Sequence, residues 1–354
     1  MEAVVFTPIK KHSRAARLAL PLWLDFRAEI KNNGDENPAP PLTDFRRRVN
    51  IQGSRPDMHF DLMRVGKKKK PAGFAYYAID KGTIGGLIDP NGGGFWGYYV
   101  APAYRKQGYG RRMFLHCAET LYRDGAAYLY CCPDPVTGEP FWRAMGFEDS
   151  GIFDPDDKLN IFIKRRPDPA HIKCRALRRE DLHTGMMDSF DWYQEVTRVA
   201  RRNGRVKKLR RPKFELTDAK DRDDLIKYWF VSTVAIQEYY PCPDEVFVAI
   251  ADGQVLGYAA LRDGPVGKEK DIAELMRMFV SYDCRRMGLG KQLFALCAAS
   301  AQAAGRRKLV VRAEESVDSY TFYRAMGCVT MGKEKALRKE LRAKKQDILM
   351  EYPL

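Results

Sequence analysis

ELMRMFVSYDCRRMGLGKQLF, residues Glu274 to Phe294, is a strand, a loop and a helix start in one line. Glu274 to Val280 is bulky and apolar with alternating exceptions, as a buried strand should be. A turn follows at Ser281–Asp283. Arg285-Arg286-Met287-Gly288-Leu289-Gly290 then sets two glycines at the mouth of Lys291–Ala304, where Leu293, Phe294, Leu296, Cys297, Ser300, Ala301 and Ala304 recur at helical spacing. A helix N-terminus in that setting presents unpaired backbone amides and a positive dipole end, which suits a phosphate group.

One glycine pair ahead of a helix reads equally well as an ordinary strand-to-helix turn. The chain, however, writes the device twice. Gly92 to Phe114 repeats strand, turn, Arg105-Lys106-Gln107-Gly108-Tyr109-Gly110 and amphipathic helix. Downstream, Phe141-Trp142-Arg143-Ala144-Met145-Gly146 is echoed by Phe322-Tyr323-Arg324-Ala325-Met326-Gly327. A shift of 180 residues carries Arg105 onto Arg285, and one of 181 carries Gly146 onto Gly327. Two motifs in one order at one period predict a duplicated domain.

Arg-x-x-Gly-x-Gly after a strand, with Phe-Tyr-x-x-x-Gly following at the end of a short helix, resembles the GCN5-related N-acetyltransferase (GNAT) superfamily. The resemblance runs over nearly the whole chain as two tandem copies. It implies an α+β fold, acetyl-CoA as cofactor and an amine as acceptor.

The 354 residues suit two cores better than one, and 45% apolar with 30% charged residues is the composition of a globular protein. No apolar run reaches the roughly 20 residues that span a bilayer, and the N-terminus lacks the pattern of a signal peptide, so a cytoplasmic protein without membrane contact is expected. Eight scattered cysteines, with Cys131-Cys132 the only close pair, predict a reducing compartment and no structural metal. The net charge of +15 is uneven: Arg198–Lys213 alone holds nine basic residues and no acid. Such a run is either a solvated face or a docking site for a polyanion.

In order, the first copy reads as a strand Val4–Ile9, a helix capped by Ser13, and a second helix Leu42–Val49. Strands follow at Met58–Val65 and Ala72–Ile79, then a glycine-rich loop Gly82–Gly94 and the central strand Phe95–Val100. After the loop and its helix come a strand Ala127–Cys131, a short helix Glu139–Met145 and a closing strand Leu159–Lys164. Pro167 and Pro169 mark the boundary, giving domains over 1–166 and 171–354. The second copy opens with a strand Ile172–Leu177 and a helix capped by Asp181 that includes Trp192 and Tyr193 and runs into the basic segment. A helix Asp221–Ile236, a hairpin across Asp252-Gly253-Gln254, the central strand and loop, a strand Lys308–Arg312, a short helix Val317–Met326 and a last strand Asp347–Tyr352 complete it. Each half is a mixed sheet flanked by helices, an α+β class.

The resemblance assigns roles residue by residue. Backbone amides of Arg285, Arg286, Met287, Gly288, Leu289, Gly290 and Lys291 would hold the coenzyme A pyrophosphate, with glycines where side chains would clash. Backbone groups around Phe279 and Val280 would bind the pantetheine arm and the acetyl oxygen where a bulge splays the sheet. Glu274 stands where the family often has its general base; the alternative is a structural carboxylate paired with a neighbour such as Arg277. Tyr323 stands where the family has a tyrosine that protonates the departing thiolate; the alternative is an aromatic packed on the sheet. Ser316 replaces a common cofactor-touching asparagine, weakening that contact. In the first copy Val100, Arg105, Lys106, Gln107, Gly108, Tyr109 and Gly110 keep the loop, but Gly94 replaces Glu274 and Trp142 replaces Tyr323. That copy is expected to be catalytically silent.

The family's acceptor site is usually walled by the segment between the first two helices, here the basic Arg198–Lys213. Its charge favours an amine carried on a nucleic acid or nucleotide and disfavours a polyamine. A small-molecule or protein amine is the second option. A non-catalytic nucleic-acid-binding sensor of acetyl-CoA is the third.

Overall fold

The structure, a computed structural model, describes residues 4–34, 39–52, 55, 57–82, 86–192, 199–202, 205–208, 244–262, 271–313, 316–331 and 348–354. The chain divides into two compact units, Met1–Arg166 and Pro167–Leu354.

The first unit contains β1 (Val4–Pro8), α1 (Arg14–Asn32), α2 (Pro41–Gln52), β2 (Met58–Val65), β3 (Lys70–Ile79), β4 (Gly92–Val100), α3 (Tyr109–Asp124), β5 (Tyr128–Cys131), α4 (Gly138–Ala144), β6 (Glu148–Asp154) and β7 (Leu159–Arg165). Its sheet runs β1-β2-β3-β4-β5-β7-β6, antiparallel throughout except for the parallel β4 and β5. Ser13 caps α1 as expected, accepting from the Ala16 amide at 3.1 Å. Under α1 the fully buried Trp23 meets Phe26, Phe45, Phe60 and Phe74, and its indole N–H donates to the Pro41 carbonyl at 3.0 Å.

The second unit contains β8 (Lys173–Ala176), β9 (Val199–Arg202), β10 (Arg205–Lys208), β11 (Asp244–Ala251), β12 (Gln254–Arg262), β13 (Ile272–Val280), α5 (Leu289–Ala303), β14 (Lys308–Ala313), α6 (Val317–Ala325), β15 (Val329–Thr330) and β16 (Ile348–Pro353). Its sheet runs β15-β16-β14-β13-β12-β11-β8, again with one parallel pair, β13 and β14. The β11–β12 hairpin turns on Asp252 and Gly253, both at positive φ, the pairing a two-residue turn requires. The two mixed sheets with flanking helices realise the α+β class read from the sequence.

Three expectations are corrected. Gly92–Gly94 are the start of β4 rather than loop: a Cβ at Gly92, Gly93 or Gly94 would lie within 3.0 Å of Tyr128, of Leu121 and Leu129, or of Tyr130. Large neighbours on α3 and β5 fill the space that side chains there would need, so the glycines are demanded by packing. Asp181 caps no long helix. It closes a 3₁₀ turn at Arg179–Asp181 and binds Arg175 through both carboxylate oxygens at 2.6 Å. Gly185, at φ +87°, turns the chain, and Met187, Phe190 and Trp192 pack as separate anchors against Val248 and Tyr258. Within the basic run, Val199–Arg202 and Arg205–Lys208 pair as antiparallel strands and do not continue a helix. The helix expected at Asp221–Ile236 lies outside the described residues. Strands β6 and β15 were missed.

Candidate active site

The two glycine loops have one geometry. Each central strand leads through a 3₁₀ turn, Pro102–Tyr104 or Tyr282–Cys284, to an arginine whose Nε donates back to the strand's last carbonyl: Arg105 to Val100 at 2.7 Å, Arg285 to Val280 at 3.4 Å. The next residue is left-handed, Lys106 at φ +57° and Arg286 at +66°, and the N-cap is a left-handed glycine, Gly108 at +82° and Gly288 at +81°. Around Gly288 an added Cβ would meet only Gln292, at 4.0 Å, so glycine is required there by backbone conformation alone. The second glycine serves packing. A Cβ on Gly110 would touch Phe141 at 3.0 Å, and one on Gly290 would touch Phe322 at 3.3 Å, which ties each motif to its downstream Phe. Tyr109 and Leu289 are buried, whereas Gln107, Gly108, Arg286, Gly288 and Lys291 are exposed. The amides of Leu289, Gly290 and Lys291 precede the first i to i−4 bond of α5 and point outward, a cradle that fits a pyrophosphate.

Both central strands also bulge at one equivalent place. In β4 the register on β3 jumps from Gly97 to Phe95, leaving Trp96 unpaired; in β13 the register on β12 jumps from Arg277 to Leu275, leaving Met276. Beyond these points β4 and β13 lose their parallel partners, which they hold only over Gly92–Phe95 and Ile272–Leu275. The sheets therefore splay, opening backbone groups of the outer strand segment.

The segment differs between units. In the second, Met276 to Val280, including Phe279 and Val280, is half-buried throughout. In the first, Trp96 and Tyr98 are half-buried, Gly97, Tyr99 and Val100 are buried, and aromatic rings pack on the strand. Tyr98 stacks on Phe141 at 5.3 Å, meets Trp142 at 5.0 Å and donates its hydroxyl to the Gly110 carbonyl at 2.5 Å, while Phe95 lies 4.8 Å from Trp142.

Glu274 is 1% exposed and pairs with Arg262 across β12 and β13, Nη1 to Oε2 at 2.9 Å. The sequence reading named Arg277 as the neighbour and missed Arg262, because the bulge that aligns Arg262 with Glu274 leaves no residue signal. In the first unit the corresponding positions are Ala78, Gly94 and the neighbouring Tyr130, whose hydroxyl accepts from Trp96 Nε1 at 3.3 Å. Tyr323 is 9% exposed in the core under α5, its ring 6.3 Å from Phe294. Ser316 is fully buried and caps α6, accepting from the Ser319 amide at 3.0 Å. Trp192 lies under the Arg285 guanidinium at 5.8 Å and edge-on to Phe279, a partner the sequence did not point to. Burial pushes the Tyr258 hydroxyl well up, opposed by the nearby positive charge of Arg277. In the first unit, Cys132, Asp154 and Asp157 come within 4.8 Å of one another; burial and both carboxylates raise the thiol, holding it protonated.

Family models match each unit: "Acetyltransferase (GNAT) family" over residues 23–147 and "Acetyltransferase (GNAT) domain" over residues 222–342, together more than two thirds of the chain. The chain belongs to the GNAT acetyltransferases. It carries two GNAT domains in tandem, and family membership brings acetyl-CoA-dependent acetyl transfer with it. Solved structures similar to it include an acetyltransferase from Thermus thermophilus, at 18% identity and TM-score 0.37, covering 47% of this chain and 99% of its own. Nourseothricin acetyltransferase is 16% identical at TM-score 0.35, covering 52% of this chain and 98% of its own. PaiA N-acetyltransferase from Thermoplasma acidophilum, in complex with coenzyme A, is 13% identical at TM-score 0.35, covering 46% and 99%. No curated protein matches the sequence. Among the described residues no helix is long and apolar enough to cross a membrane.

Proposed function

We propose that the second unit, residues 167–354, is the working N-acetyltransferase and that the first is catalytically silent. The observation that carries this is the central strand: half-buried beside a carboxylate in β13, but in β4 without a carboxylate and packed through Tyr98 against Phe141 and Trp142 of α4. Acetyl-CoA supplies the activated acetyl thioester. The amides from Arg285 to Lys291 hold its pyrophosphate, and backbone groups of Phe279 and Val280 orient the arm and stabilise negative charge on the acetyl oxygen. Ser316 contributes through its cap, fixing where α6 starts. Glu274, held by Arg262, accepts the amine proton directly or through water, and Tyr323 returns a proton to the leaving sulfur. The first unit's loop, Val100 and Arg105 to Gly110, keeps its shape without the groups that do chemistry.

The acceptor is an amine on a phosphate-bearing molecule, a nucleic acid or nucleotide. Support comes from Arg198–Lys213, nine cations without an acid, part of it folded as the β9–β10 ribbon. Binding of RNA or DNA that weakens steeply with salt is the expected behaviour; binding indifferent to salt counts against it.

Calorimetric titration of acetyl-CoA tests the division. Gly288→Val forces a β-branched residue into a left-handed site, a strain of about 1–2 kcal/mol that, relieved by distorting the loop, weakens binding about five- to thirtyfold. One site, weakened by Gly288→Val and not by Gly108→Val, is expected; one site lost with Gly108→Val reverses the assignment.

A further inference from the structure

On the β12–β13 surface, the charged side chains of the two strands are Arg262, Glu274 and Arg277, two cations around one carboxylate. Leu261, Ala273 and Leu275 belong to the core under α5, so by strand alternation Arg262 and Glu274 point to the opposite face. Arg277 is on that face too, since its charge acts on Tyr258, which packs there with Val248 and Phe279. The Arg262–Glu274 pair is lopsided. The carboxylate side chain is 2% exposed and the guanidinium 38%, so the cation turns an open side outward while anchored by its buried partner. Glu274 lies two residues before the bulge at Met276, where β13 leaves β14. The pair therefore stands at the inner end of the splay, two residues from where the strands part. The first unit has Ala78 and Gly94 at the matching register and no such pair.

We propose that Arg262 is the acceptor's anchor, and that the second unit takes an amine carrying an anionic group, carboxylate or phosphate ester, a few bonds from the nitrogen. Among the described side chains of these two strands the charge is net positive, which repels a bare ammonium; an amine with its own anion matches it, nitrogen toward Glu274 and anion on the outward edge of Arg262. A planar fork already held at one end by Glu274 loses little freedom on binding a second oxyanion. The inference rests on acetyl transfer occurring in this unit.

The test measures thiol release from acetyl-CoA by the full chain with two matched pairs: an amino acid against its amide, and an aminoalkyl phosphate against the corresponding amino alcohol. In the unaltered protein, kcat/KM favours the anionic member of at least one pair, and which pair responds separates carboxylate from phosphate. In Arg262→Gln that ratio falls about tenfold or more, the worth of a hydrogen bond to a charged group; Arg262→Lys, which keeps the charge beside Glu274 and guards against misfolding of the first variant, lowers it partly. Because both members of a pair share any disturbance of Glu274, the ratio isolates the anchor. Transfer that ignores the anion, or a ratio unchanged in Arg262→Gln and Arg262→Lys, overturns the anchor alone. No thiol release with any amine overturns the assignment of acetyl transfer as well.

Discussion

The central strands β4 and β13 share a turn, a loop, a bulge position and a splay, and they differ in the side chains beside it. In β13 the residues after the bulge are half-buried and a carboxylate lies just before it. In the first unit Phe95 and Tyr98 of β4 pack on Trp142 and Phe141 of α4, and a glycine stands at the carboxylate's place. The loop's shape is backbone geometry, common to both units, whereas a reaction centre depends on a few side chains, and there the units differ.

The sharpest way to break this comparison is kinetic. Tyr323→Phe should lower turnover by about a hundredfold or more, the usual worth of a positioned proton donor. Trp142→Phe should leave it within about twofold, since a ring without a transferable proton is exchanged for another. Thiol release reads both, and a larger effect at Trp142 would move catalysis to the first unit. If Tyr323 is only a packed aromatic, Tyr323→Phe changes little.

Stability probes come next. The entry segments differ: Ser13 starts a 19-residue helix, while Asp181 clamps Arg175. Hydrogen bonds from Arg175, opposed by burial, hold the Asp181 carboxyl below the usual range. A depressed carboxylate stabilises above its unfolded pKa of about 4 and loses that contribution as pH falls through its folded value. Asp181→Asn should therefore cost about 1.5–3 kcal/mol at pH 7 and progressively less in acid; a pH-independent difference in thermal unfolding refutes the pairing argument. Gly94→Ala puts a methyl 2.6 Å from the Tyr130 hydroxyl and should cost about 1–3 kcal/mol. Ser13→Ala should remove about 1 kcal/mol by loss of the cap, the smallest change of the set.

Much of the fold was legible because it is written in period and punctuation. The repeat of Arg-x-x-Gly-x-Gly and its distant Phe located both loops, and Met58–Val65 could be bounded to the residue. What escaped was set by tertiary neighbours. Gly92–Gly94 look like a loop until Tyr128, Leu121 and Tyr130 are known to need their space. The segment after Asp181 has the apolar content of a helix, yet Met187, Phe190 and Trp192 are pulled onto the sheet separately. Glu274 was visible as a candidate, but Arg262 depends on a bulge, and bulges leave no trace in residue type when the extra position is Met or Trp.

The three glycines opening β4 also bear on the silence proposed for the first unit. To carry a paired carboxylate, Gly94 must gain a side chain, Tyr130 must give up the volume it now occupies, and Ala78 on β3 must become a cation to neutralise the buried charge. Any one of these steps taken alone is harmful or useless. A paired carboxylate at this register is therefore reached only through coordinated changes on three strands, β3, β4 and β5.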